Sequence, residues 1–180
     1  MRITISGPPG SGKTTVCRLL ADRLHCECLI SGTVFREMAR KQGLSLSDFG
    51  RLAEQDPKYD HMVDDGMVAR AMSAKDIVVE GRLTGHLLSK HDPLAFKVFL
   101  DAEPKVRAQR VGEREPDNLD KITREMLERE ECEALRYKRH YGIDLKDKSI
   151  YDLVVDTTKR TPEQVADLII DSMEARARHG

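Results

Sequence analysis

The chain has 180 residues, 39% of them hydrophobic and 34% charged, which is enough for one domain with a buried core and too apolar for a disordered chain. Thirty Lys and Arg offset thirty-one Asp and Glu for a net charge of -1, so no chain-wide field draws in nucleic acid or an anionic membrane, and any anion site is local. No apolar run approaches the ~20 residues that cross a bilayer, no basic-then-apolar leader opens the sequence, and Cys17, Cys26, Cys28 and Cys132 stand at no zinc-binding spacing; a cytoplasmic protein with reduced thiols is expected.

Residues 2–6 form the first short apolar run, and 27–30, 76–80, 95–101 and 152–156 repeat it. Near-continuous Val, Ile and Leu in such runs predict parallel strands covered on both faces. Between the first two, Val16, Leu19, Leu20 and Leu24 recur at helical spacing. Strand alternating with helix predicts an α/β fold, a doubly wound five-stranded parallel sheet in a single domain. Helix starts are marked at Ser45 to Asp48 and by the capping box Thr161-Pro162-Glu163-Gln164, and helix ends by Gly43 and Gly142. Two charged helical stretches interrupt the alternation. Residues 33–72 fall between the second and third strands, and 107–142 between the fourth and fifth. Each is placed to form a flap at the sheet's carboxyl edge, where ligands bind in such folds.

Directly after the first strand stands Gly7-Pro8-Pro9-Gly10-Ser11-Gly12-Lys13-Thr14-Thr15, an unbroken G-x-x-x-x-G-K-S/T motif that leads into a helix. Its glycines let successive backbone N–H groups turn inward on a polyphosphate, and the positive end of the helix adds to the field. Lys13 supplies a point charge to the β- and γ-phosphates, and the Thr14 hydroxyl is a ligand for Mg²⁺. No N-K-x-D segment follows a strand to read guanine, so ATP is the expected nucleotide.

Eighteen of the basic residues are Arg, whose fork matches phosphate oxygens two at a time. Three groups of them carry a resemblance. Together with the loop, Ser31-Gly32-Thr33-Val34-Phe35-Arg36, Glu80-Gly81-Arg82 and Arg129-Glu130-Glu131-Cys132-Glu133-Ala134-Leu135-Arg136 resemble the cytidylate kinases in their short archaeal form, from Met1 to about Ala166. The resemblance implies a P-loop kinase fold, ATP and Mg²⁺, CMP or dCMP as acceptor, and 33–72 as the acceptor-binding insert. It makes 107–142 the lid and the helix behind it. Ser31, Gly32 and Arg36 would meet the acceptor phosphate, with Arg82 opposite; Arg129 and Glu133 would meet its sugar, and Arg136 the transferring phosphoryl group. Arg110, with Arg107 and Arg114 beside it, would cover the γ-phosphate. Glu80, at a strand end, is placed to hold Mg²⁺ through water.

Simpler readings stand beside these. Arg36 fits a surface ion pair, Glu80 an ordinary cap, and Arg129 with Glu133 an i,i+4 pair worth ~0.3–0.5 kcal/mol. The sequence also departs from the bacterial form of the family, which carries acids where this chain has Ile30 and Leu83; the second of those acids reads the cytosine amino group. A kinase of another monophosphate such as UMP or AMP, or a non-enzymatic ATP-dependent switch, therefore remains open at this stage. A monomer binding only small nucleotides is expected.

Overall fold

A computed structural model describes residues 1–112 and 118–179. In chain order the elements are β1 (Arg2–Ser6), α1 (Lys13–Leu24), β2 (Glu27–Ile30), α2 (Ser31–Lys41), α3 (Leu46–Gln55), α4 (Pro57–Ser73) and β3 (Ile77–Glu80). Then follow α5 (Thr84–Ser89), β4 (Phe96–Asp101), α6 (Pro104–Gly112), α7 (Leu119–Tyr141), β5 (Leu153–Asp156) and α8 (Pro162–His179). The five strands lie in the order β2-β3-β1-β4-β5, all parallel. Each predicted strand is present, three of them starting one residue later than the apolar run suggested.

The apolar runs are continuous because both sheet faces are covered. In β3, Val78 packs with Val16, Cys17 and Leu20 of α1 and with Val165 and Ile169 of α8. Its neighbours Ile77 and Val79 point the other way, onto Phe49, Val63, Met67, Ala71 and Leu88. That second core is what attaches α2–α4 to the sheet. Inside it Phe49 stacks edge-on against Phe35 and Tyr59, with centroids at 4.8 and 5.5 Å, a geometry aromatic rings favour.

Local signals start the helices, at Ser45 and Thr161 as expected and at Asp56 in addition. Ser45 accepts from the Asp48 amide, and Asp56 caps α4 ahead of Pro57. At α8 the Gln164 amide donates to Thr161 Oγ1 at 3.3 Å and the Thr161 amide to Gln164 Oε1 at 3.0 Å, a complete capping box. The cysteines are free thiols; the Cys17 and Cys28 sulfurs lie 3.2 Å apart where α1 meets β2.

β1 sits centrally, and its neighbours β3 and β4 lead the sheet outward in opposite directions. The loop after β1 therefore opens at the point where the winding reverses, the crevice in which doubly wound sheets bind ligands.

Candidate active site

The loop between β1 and α1 takes its shape from backbone that only glycine tolerates. Gly7, Gly10 and Gly12 have φ of 147°, 74° and 89°. A Cβ on Gly7 would meet the Leu100 carbonyl at 2.1 Å, and one on Gly10 the Arg107 carbonyl at 2.4 Å. The loop thus lies directly on the ends of β4 and α6, with no room for a side chain.

Arg107 holds it there. Its buried guanidinium donates to Ala102 O at 3.0 Å and to Pro9 O at 3.3 Å, and pairs with Glu130 at 2.7 Å. Arg107 is therefore a strut beneath the loop rather than part of a solvated helix face. Arg110, one turn on, donates to Gly10 O at 3.3 Å and to Thr157 O at 2.7 Å. It stands at the mouth of a cleft of about 310 Å³ lined by Gly10–Val16, Thr157, Arg160, Pro162 and Val165. Arg114 lies outside the described residues.

Lys13 donates to Pro8 O at 2.8 Å. Loss of water around its ammonium pulls the pKa down to about 8, against the opposing pull of the Glu80 carboxylate. Glu80, buried at the end of β3, is pushed upward by desolvation while Lys13 and a hydrogen bond from Thr14 hold it down. The Thr14 hydroxyl lies 3.4 Å from Glu80 Oε2. A hydroxyl and a carboxylate side by side are hard oxygen donors suited to Mg²⁺, which completes its shell with water and phosphate oxygens. The residues fit the ion.

A second, larger cleft of about 1430 Å³ runs from the other side of Lys13, Thr14 and Thr15 out between α2–α4 and α7. Ser31, Gly32 and Arg36 line it from the start of α2, Arg82 from the end of β3, and Arg129, Glu133 and Arg136 from α7. Arg36 is exposed and donates to Thr33 Oγ1 at 3.2 Å. Glu133 is buried between two guanidiniums, 2.5 Å from Arg82 Nη2 and 2.9 Å from Arg129 Nε. The spacing of 129, 133 and 136 puts all three on the cleft, and Arg136 is paired with Asp60 on α4, 3.2 Å from its Oδ2.

Sequence reasoning singled out Arg136 but neither Asp60 nor the neighbouring His140, Asp64 and Tyr141. Asp60 is buried, with His140 Nδ1 at 3.8 Å beside Arg136. One turn along, Asp64 accepts a short hydrogen bond from the Tyr141 hydroxyl. The available signal was a pair of i,i+4 spacings, 60/64 and 136/140, on two helices with no sequence proximity.

Burial pushes the Asp64 carboxyl up to about 6, and the Tyr141 hydrogen bond only partly offsets this. The folded state therefore holds this proton more tightly than the unfolded chain, whose aspartate titrates near ~3.9. The resulting stabilisation is complete below about pH 4 and is lost as pH rises through about 6. That gap corresponds to ~3 kcal/mol, which solvent contact at this half-buried residue reduces to about 1–2 kcal/mol. Asp64→Asn keeps an acceptor for Tyr141 and cannot ionise, so it is expected to be more stable than wild type by that amount at pH 7.5 and equal to it near pH 4. Urea unfolding at the two pH values measures the difference; a variant less stable at pH 7.5 contradicts it.

A five-stranded parallel sheet wound by helices, with a phosphate loop at its switch point, defines a P-loop kinase fold. The shikimate kinase of Aquifex aeolicus shares it, with a TM-score of 0.60 at 22% identity over 100% of both chains. The sequence profile described as the cytidylate kinase-like family matches residues 2–159. The cytidylate kinase of Methanosarcina acetivorans is 42% identical over 97% of each chain. That of Methanothrix thermoacetophila is 46% identical over 87% of this chain and 88% of its own. The chain belongs to the cytidylate kinase-like family.

Proposed function

We propose that the protein is a cytidylate kinase, transferring the γ-phosphoryl group of ATP to CMP or dCMP to give ADP and CDP or dCDP. The observation that carries this is that two clefts share Lys13, Thr14 and Thr15: one lies over the phosphate loop toward α8, and the other is lined by arginines just beyond β3 and on α2 and α7. A donor in the first and a monophosphate in the second would meet at the Lys13 ammonium. Family membership names the acceptor.

Residues 7–15 would hold the ATP phosphates through backbone N–H groups, with Arg110 at the cleft mouth. Thr14 and Glu80 would hold Mg²⁺, which supplies charge neutralisation at the transferring group. The α2–α4 insert, 33–72, would bind the acceptor: Ser31, Gly32, Arg36 and Arg82 at its phosphate, Arg129 and Glu133 at its sugar. Residues 107–142 would form the lid and the helix that closes over both.

Phosphoryl transfer depends mainly on alignment and on charge placed around the migrating group, so Lys13 and the arginines carry the catalysis without a covalent intermediate. In this reading Arg136 leaves Asp60 and swings toward the phosphoryl group only on closure. Among the described residues no helix is long and apolar enough to cross a membrane; a cytoplasmic monomer serving small nucleotides suits the near-neutral charge.

A coupled assay with CMP, dCMP, UMP, AMP and GMP tests the reading. CMP and dCMP are expected to give the highest kcat/KM. Preference for AMP, or ATP hydrolysis without any acceptor dependence, would refute it.

A further inference from the structure

Ile30 and Leu83 both line the acceptor cleft, and neither can hydrogen-bond a base. A cleft that recognises a nucleobase needs polar atoms placed against the base edge, so they must come from another element.

Helix α7 gives the scale. Glu130 touches the strut under the phosphate loop, Glu133 pairs with Arg82 at the end of β3, and Arg136 and His140 reach Asp60 on α4. Glu133 and His140 are seven positions apart on this helix, about 10 Å along its axis at ~1.5 Å per residue. With the acceptor phosphate held near Arg82 and Arg36, a nucleoside laid along α7 brings its base to Asp60.

The groups there have unused hydrogen-bonding capacity. Asp60 Oδ2, Arg136 Nε and His140 Nδ1 are buried atoms held by ion pairing alone, Arg136 at 3.2 Å and His140 at 3.8 Å from Asp60 Oδ2, with no hydrogen bond to any described residue. Asp60 is 8% exposed and lines the cleft. Buried polar atoms in that condition are costly, and three of them converging on one cleft end point to a ligand that completes the set. Together they present the Asp60 acceptor, the Arg136 N–H donor, and an imidazole nitrogen that is a second donor in the tautomer carrying its proton at Nδ1. The complementary base edge carries one donor and two acceptors, which is the edge of a pyrimidine with an exocyclic amino group, a ring nitrogen and a carbonyl. A pyrimidine with a carbonyl in place of the amino group would set oxygen against the Asp60 carboxylate.

We propose that Asp60, flanked by Arg136 and His140, is the base-recognising end of the acceptor cleft and selects an amino-substituted pyrimidine over its carbonyl counterpart. This assignment rests on the kinase activity proposed above. Arg136 serves the base edge in the open cleft, and Asp60 with His140 retain it if Arg136 moves on closure.

The test is the ratio of kcat/KM for CMP to that for UMP in wild type, Asp60→Asn and His140→Ala. Being a ratio, it is independent of the fraction of active enzyme. Asp60→Asn is expected to lower kcat/KM for CMP by about 10- to 100-fold, while UMP holds or improves, because an amide can offer N–H to the carbonyl. His140→Ala, which leaves the Asp60–Arg136 pair intact should the first variant fail to fold, is expected to narrow the ratio in the same direction. An unchanged ratio, including a parallel fall for both nucleotides, overturns the assignment and leaves the activity standing. Wild type that phosphorylates no pyrimidine monophosphate overturns the activity and this assignment with it.

Discussion

Lys13→Ala is expected to reduce kcat/KM for phosphoryl transfer by about a thousandfold, the upper range for removing one preorganised donor from a site of developing charge, with the fold retained. Lys13 borders both clefts, and partial desolvation by the loop already lowers its pKa to about 8. Preorganised in this way, it gains a partner when a triphosphate enters and needs little rearrangement as charge moves between the two phosphates. The folded state loses one hydrogen bond to Pro8 O, worth ~1 kcal/mol. Glu80 loses its nearest opposing charge and, already pushed upward by burial, can take up a proton. A small shift in melting temperature and unchanged far-UV circular dichroism should therefore accompany the loss of turnover. Substantial turnover in the purified variant would remove the phosphate loop from the mechanism.

The loop and the sheet were legible in the sequence because their chemistry is contiguous. Gly7 to Thr15 carries its glycines, ammonium and hydroxyl in one short stretch of chain, and the central strands are covered on both faces, which makes their sequences mostly apolar. The cleft opposite was legible only where a residue stands at an element's end. Ser31 starts α2, Glu80 ends β3 and Arg82 stands two residues beyond it, so strand prediction placed them.

Pairing across the cleft was not legible. Asp60 and Arg136 are brought together by α4 packing on the sheet through Val63 and Met67 and by α7 crossing from Arg82 to Asp60. Nothing local in either helix encodes that crossing. Arg107 and Arg110 show the same limit from the other side. Adjacent turns of one short helix carry both, yet the first is buried under the loop and the second lines the cleft beside it. The difference depends on the close approach of Gly10 to α6, a tertiary fact.

Arg82→Ala is expected to lower kcat/KM for CMP by about a hundredfold or more, and to destabilise the fold by about 2–3 kcal/mol. Breaking one side of a buried pair costs ~3–5 kcal/mol, because the remaining charge stays desolvated. Arg82 and Glu133 meet at 2.5 Å with side chains 16% and 11% exposed. Arg129 still reaches the other Glu133 oxygen at 2.9 Å, which puts the expected cost at the lower figure. The stability loss and the activity loss have different origins, and a second substitution separates them. Glu133→Gln removes the stranded charge, so the double variant Arg82→Ala/Glu133→Gln is expected to recover most of the stability while its activity toward CMP stays as low as in Arg82→Ala or falls further. Thermal unfolding and acceptor kinetics on the same preparations read both quantities. Recovery of activity along with stability would mean that Arg82 only holds Glu133 in place, and the acceptor phosphate would then need a different guanidinium on the sheet side of the cleft.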